Sequence, residues 1–435
     1  MTLAARPPDL VSAGRVAGID AEALATRYGT PQFVYDLDAV SARVGALRSA
    51  LPASFDLAFA VKANPLLAVL QHLEALGLGA DVASGGELRH VLRAGFDRSR
   101  VVLTGPGTRD EELAAAVDAG IRVVTVESRG ELRRLATIAE AAGRVQPVLL
   151  RRSAAADADA ERVRIIGDAG AGKFGMDEAD LRAAAAEAVA SPWLEPWGVH
   201  AFGASNLLDA GVLAAHVAST VDLATSVAAQ AGFPLRLVDA GGGLGIPYGA
   251  HEAPLDLAAL GARLAAIGER LAGDVATATT RVLLEPGRYL VGPAGAYLAR
   301  VVDRKRVGAS EVAILDGGIH HVLRPVLVGQ AHRVVAVTGA TGGGHVTLAG
   351  PLCTGLDVLA PDVPLGGLAA GDLVAVLDVG AYGATESMPH FLSHAMPAEV
   401  VVRGGTSHLA RPRLEPETWL ATHLDLPTSD VPPGS

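Results

Sequence analysis

Between about residue 33 and about residue 290, short β-rich runs alternate with helical stretches, and this alternation constrains the fold more than any other feature of the chain. QFVYD, LAFAVKA, ADVAS, VVLTG, RVVTV, QPVLL, WGVHAF, LRLVDAGG and RVLLEPG read as strands. Between them, LLAVLQHLEALG, DEELAAAVDAG and SRGELRRLATIAEAAG carry the apolar stripe of helices with one face on a core. Repeated strand-then-helix units imply parallel strands joined by crossover helices. About eight such units over about 250 residues is the size of a (β/α)8 barrel. After about residue 290 the texture changes. VVDRKRV, EVAILDGG, HRVVAVTG, GHVTLAG, DLVAVLDVG and AEVVVRGG are short strands joined by Gly and Pro turns, which predicts an all-β domain.

A chain of 435 residues is too long for one ordinary domain, so two are expected. Half of the residues are hydrophobic and mean hydropathy is +0.33, which supplies large cores and argues against disorder. The apolar stretches read as too short or too broken to span a bilayer, so no membrane association is expected. The opening MTLAARPPDLVSAGR lacks the apolar core of a signal peptide. The single cysteine excludes an intrachain disulfide framework and suits a reducing cytoplasm. A net charge of −11 without a basic run makes nucleic acid an unexpected partner.

In a barrel the working residues stand at the C-terminal ends of the strands. Lys62 follows the apolar run LAFAV. Desolvation there would lower its pKa and favour the neutral amine that attacks an aldehyde. The plainer reading is a strand-end lysine reaching solvent. Gly241, Gly242 and Gly243 follow LRLVDA and expose backbone N–H groups to which a phosphate can come close. A flexible turn would look the same. Glu285, in LEPGR, could bond a pyridine nitrogen and keep it protonated, and Arg288 could bind an anion at two points. A surface ion pair of small value is the alternative. Cys353, in GPLCTGLD, could transfer protons or simply pack. Tyr382, in VLDVGAYG, could donate to a phosphate or pack.

Other patterns carry less. Gly167–Lys173 nearly matches a phosphate-binding P-loop, but Phe174 replaces the Ser or Thr that would hold magnesium. Gly339–Gly344 fits a hairpin turn. His390 and His394 are spaced for one helical face, and His320 and His321 are adjacent. None of these histidines has the cysteine or carboxylate company of a metal site, so packed or solvated histidines and no metal are expected. There is no G-x-S-x-G elbow of a serine hydrolase.

Taken in order, FAVKANP, DVASGGEL, LTGPGTRDEEL, KFGM, GVHAFGAS, DAGGGLGIPYG, LEPGRYLVGPAG, DGGIHHVLRP, GPLCTGLD and GAYG resemble the fold-type III decarboxylases that use pyridoxal 5'-phosphate (PLP). Diaminopimelate and ornithine/arginine decarboxylases belong to that family, and the resemblance covers nearly the whole chain. It implies a barrel over 33–290 and a β-rich domain from 1–32 and 291–425, while the polar, proline-rich end of the chain reads as a flexible tail over 426–435. It also implies a head-to-tail homodimer with shared active sites. Lys62 would hold the cofactor as a Schiff base, with Asp81, His200 and Phe202 near its ring and Glu285 on the ring nitrogen. Ser205, Gly241, Gly242 and Gly243 would cradle the phosphate, helped by Gly287, Arg288 and Tyr382. Cys353 would protonate the substrate from the neighbouring subunit. Arg288, Arg324, Thr354 and Asp357 would meet the substrate.

Departures from the family pattern bear on the substrate. The histidine that stacks on the ring is Phe202, which can stack but cannot ionise. The usually acidic residue after the cysteine is Thr354, so a distal ammonium would go unpaired in a closed pocket. The tyrosine usual after R-P-x-L is Val328, and the lysine usual after GPG is Thr108. These changes, with HAFGASNLLD and FLSHAMPAEV, look like specialised biosynthetic decarboxylases. Some of those act on a glutamyl group tethered to an acyl-carrier protein, as in butirosin assembly. The alternatives are a diaminopimelate decarboxylase of lysine biosynthesis, a barrel racemase, and a non-catalytic PLP-binding paralogue.

Overall fold

A computed structural model describes residues 10–153, 172–249, 251–339 and 342–425. The chain divides into two compact units. Among the described residues, the first takes in Asp36–Ala294 and Gly380–Tyr382; the second takes in 10–35, Gly295–Val379 and 383–425.

The first unit is a closed barrel of eight parallel strands. They are β1 (Phe55–Ala60), β2 (Gly79–Val82), β3 (Val101–Thr104), β4 (Val123–Val126), β5 (Gln146–Arg152), β6 (Leu194–Ala201), β7 (Leu237–Asp239) and β8 (Arg281–Leu284). Each pairs with the next in the chain, and β8 closes on β1. β2, β3 and β4 are buried at every position, as expected of strands covered on both faces. Ala58, Val102, Val123, Leu149, Leu237 and Leu283 form one buried cluster. Side chains from six strands of a closed barrel meet this way only in its interior, so the barrel is a packed core and not a pore.

Helix starts fix the turns that leave the strands. After β2, Ser84 Oγ accepts from the Glu87 amide at 3.2 Å, while Glu87 Oε2 accepts from the Ala83 amide at 2.7 Å. After β4, Ser128 and Glu131 repeat the exchange. These reciprocal caps hold the strand-to-helix turns beside Asp81 and Glu127. The helix Ala210–Ala231 corrects one sequence expectation, since its length and composition suffice to cross a membrane. Leu213, Val217, Val221, Ala224 and Ala228 are its buried stripe, and that face packs on β6 and β7.

The second unit is built on a nine-stranded sheet. Val358–Val363, Val346–Ala349, Ser310–Leu315, Gly295–Val307, Gln32–Asp36, Ala398–Arg403 and Thr406–Arg411 follow in spatial order. Leu373–Leu377 also pairs with Gly295–Val307 and carries Val334–Ala336 on its other edge. QFVYD is therefore not a barrel strand: it is antiparallel to Gly295–Leu298 in the middle of this sheet. Its burial at four of five positions explains why it reads like one. The expected hairpin at Gly339–Gly344 is also corrected. Val334–Ala336 pairs with Leu373–Leu377, whereas Val346–Ala349 pairs with Ser310–Leu315, so the glycines carry the chain between different partners. Residues 340–341, the tail 426–435 and most of the Gly167–Lys173 pattern lie outside the described residues.

Candidate active site

The strand ends of the barrel carry its buried polar groups. β1 stops at Ala60 and enters a single 3-10 turn, Val61–Ala63, which puts Lys62 just beyond the strand. Lys62 Nζ donates to Asp81 Oδ2 at 2.9 Å. Asp81, on β2, is fully buried, while 47% of the lysine side chain remains accessible. Burial opposes charge on Lys62, but the Asp81 and Glu285 carboxylates outweigh it and raise its pKa. The expected neutral amine is thus corrected: the carboxylates hold an ammonium. Burial, then the Glu285 charge, push Asp81 up to about 7.

Glu285 follows β8 and is 4% exposed. Burial alone would raise its pKa, but His200, Lys62 and Asp239 outweigh it and hold the carboxyl at about 2. His200, on β6, lies with Nε2 3.8 Å from Glu285 Oε2. Burial lowers the His200 pKa. Asp239 ends β7 beside them, and burial with the Glu285 charge push it well above the usual carboxylate range.

The glycines after β7 are required by space and by backbone angle. Gly241 and Gly243 have φ of 65° and 93°, in the left-handed region. A Cβ on Gly242 would lie 2.4 Å from the Glu285 carbonyl oxygen, and one on Gly243 2.7 Å from the Ala204 oxygen. Hydrogen bonds stitch the loop to both neighbours: the Glu285 amide donates to Gly241 O and the Leu207 amide to Gly243 O, each at 2.8 Å. The Phe202 ring packs against Gly241. His216 bridges the carbonyls of Ala201 and Ala240, at 3.3 and 3.1 Å, and so ties the ends of β6 and β7 together. Arg288 donates to the Tyr248 hydroxyl at 2.6 Å, and its guanidinium lies 4.7 Å from the Tyr382 ring centre.

Lys62, Phe202, Ser205, Gly242, Gly243, Glu285, Gly287, Arg288 and Tyr382 line one pocket. Gly241, His200 and Asp81 stand directly behind these residues through the contacts just given. Cys353 is exposed in the second unit. Arg324 is buried there and donates to Glu386 Oε2 at 3.0 Å. Asp357, expected to meet the substrate, also lies in the second unit. It is 3% exposed, and its two oxygens accept from the Ile319 and Leu352 amides, each at 2.8 Å. Its carboxylate pins two loops of its own chain. Sequence reasoning missed Asn206 and Leu244, which also line the pocket, and Tyr248 and Asp239 behind it. Asp239 stands two positions before the first of the three glycines, with Ala240 between, and that proximity was the available clue.

Chemically, the pocket offers an amine, a buried carboxylate that its neighbours favour ionised, an aromatic face and, at one rim, a glycine loop with an arginine and a tyrosine. Among the described residues, Glu285 Oε1 and Asp81 Oδ1 are buried without a hydrogen-bond donor. Such a set suits a flat, aldehyde-bearing ring with an N–H at one edge and an anionic group.

Comparison with known proteins agrees. The chain is 32% identical over 411 residues to the L-glutamyl-[BtrI acyl-carrier protein] decarboxylase of Niallia circulans, covering 92% of this chain and 95% of that protein. It is 33% identical over 403 residues to the diaminopimelate decarboxylase of Methanothermobacter thermautotrophicus, covering 92% of each. The crystal structure of diaminopimelate decarboxylase from M. jannaschii in co-complex with L-lysine superposes with a TM-score of 0.87 at 26% identity, over 97% of both chains. Residues 37–292 match the family model of the pyridoxal-dependent decarboxylase pyridoxal-binding domain. A parallel barrel with a lysine, an ionised glutamate and a glycine loop around one pocket, together with these matches, makes the chain a member of the pyridoxal-dependent decarboxylase family, a PLP-dependent carboxy-lyase.

Proposed function

We propose that Lys62 carries PLP covalently in this pocket and that the enzyme removes the α-carboxylate of an amino acid without a free distal ammonium, presented on a carrier protein. The supporting observation is that Lys62, Glu285, Gly242 and Gly243 line one pocket. The residues fit the cofactor: the Glu285 carboxylate lines the pocket, where it would accept from a ring N–H, and a Cβ on Gly242 or Gly243 would strike backbone oxygens. Gly242, Gly243, Ser205, Gly287, Arg288 and Tyr382 would hold the phosphate. When bound, PLP supplies an electron sink for the pair left by the departing carboxylate.

The chain's own groups do the rest. Glu285, which its neighbours hold ionised, would keep a proton on the ring nitrogen. Phe202 would offer the ring an apolar face. Lys62 must shed a proton before it can attack an aldehyde, and Asp81 Oδ2, 2.9 Å from Nζ, is the acceptor within reach. Cys353 of a second subunit in a homodimer returns a proton to the α-carbon, on a loop that Asp357 braces. Thr354 stands where an acid would pair a distal ammonium, and the carrier-linked glutamyl substrate named for the Niallia circulans relative has none.

Lys62→Ala should abolish both borohydride-reducible PLP attachment and carbon dioxide release; retention of either removes Lys62 from this role. Carbon dioxide release from glutamyl-carrier protein and from meso-diaminopimelate separates the substrate classes. The second substrate merits its arm because relatives at 33% and 35% identity are diaminopimelate decarboxylases. Faster turnover of meso-diaminopimelate would replace the carrier reading.

A further inference from the structure

Behind the pocket wall, three side chains from consecutive strand ends converge. His200, Asp239 and Glu285 place their polar atoms within 4.8 Å of one another, and all three are buried. Asp239 Oδ1 accepts from the Gly241 amide at 2.9 Å. Gly241 O in turn accepts from the Glu285 amide at 2.8 Å. One carboxyl therefore holds the first glycine of the loop, and that glycine holds the backbone of Glu285.

The other edge of Asp239 poses a problem. Among the described residues, neither its Oδ2 nor Glu285 Oε1, both buried acceptors, has a donor. Two carboxylates this close, both out of water, repel unless one is protonated. The groups facing the pair identify which. His200, on β6, and Lys62, after β1, both favour the charged form of Glu285. Asp239 faces the Glu285 and Asp81 charges, and the Lys62 ammonium is already bonded to Asp81. The shared proton belongs on Asp239.

We infer that Asp239 is a positioning residue: as a neutral acid it donates to the Glu285 carboxylate while accepting from Gly241, and so fixes the ring-nitrogen acceptor and the glycine loop in one register. The inference rests on the reading of Glu285 as partner of the cofactor's ring nitrogen. It gives Glu285 a dedicated donor on its inner side and leaves its charge for the pocket side.

Asparagine can make the same two hydrogen bonds, through its oxygen and its NH2 group, whereas alanine can make neither. Infrared spectra of PLP-free protein should show a protonated-carboxyl stretch that Asp239→Asn removes. Asp239→Asn should bind PLP within roughly twofold of the unsubstituted protein, and Asp239→Ala about tenfold or more weakly, the scale of a buried hydrogen bond lost. The inference is overturned if the stretch persists in Asp239→Asn, or if that variant binds PLP as weakly as Asp239→Ala. Should Asp239→Ala not fold, the infrared difference and the affinity of Asp239→Asn decide by themselves. Failure of the underlying site reading looks different: the unsubstituted protein takes up no PLP, while the infrared difference still reports on Asp239.

Discussion

His320 is fully buried against the rings of His321 and His394, at centroid distances of 3.7 and 4.9 Å, and among the described residues neither of its ring nitrogens has a partner. Burial, then the His394 charge, lower its pKa to about 4. The unfolded chain takes up this proton near pH 6.5, as histidines ordinarily do. Its contribution to stability is therefore full above about pH 6.5 and is lost as pH falls toward the folded value. Melting temperature should drop across that window, and His320→Phe should make the drop shallower; an unaltered slope would clear His320 of the effect. Lys62 was legible at this scale because position alone, one step past an apolar run, marks a barrel mouth. The sign of its pKa was not, because the carboxylates that reverse it come from β2 and from beyond β8, 19 and 223 residues along the chain.

Among elements, the loop after β7 is the most constrained. Gly242→Ala pushes a methyl group onto the Glu285 carbonyl oxygen, which is backbone and cannot yield cheaply. PLP affinity should fall at least about tenfold, as read by fluorescence titration, because the loop must shift away from the acceptor it is stitched to. Asp357 makes the analogous prediction for the second unit. Asp357→Ala strands the buried Ile319 and Leu352 amides and should cost about 1–3 kcal/mol for each, measured as a lower urea midpoint. The barrel strands were legible because parallel strands covered on both faces are unbroken apolar runs. QFVYD has the same look for a different reason: a central strand of the second sheet is also covered on both faces, and nothing in five residues says which sheet it joins. The hairpin expected at Gly339–Gly344 failed similarly, since turn residues mark a change of direction but not the partner on the far side.

For the molecule as a whole, the barrel's buried charge cluster predicts strong coupling between cofactor and stability. A ligand that binds only the folded form stabilises it by about 2.7 kcal/mol at one hundred times its dissociation constant. Thermal scans with saturating PLP should show a higher melting temperature for the unsubstituted protein and a smaller gain for Lys62→Ala; an equal gain would place the binding energy elsewhere. The ten ordered sequence patterns made the architecture legible, but not Asp239, whose role emerges only when three strand ends close on one another. The topology also sets a timetable for synthesis. Gln32–Asp36 leaves the ribosome before any barrel strand, yet its neighbour Gly295–Val307 is made only after all eight. At about 5–20 residues per second the wait is roughly 13–50 s. Throughout it, an apolar segment with unpaired backbone must be kept from the nascent barrel and from other chains, so the step most exposed to misassembly precedes any cofactor.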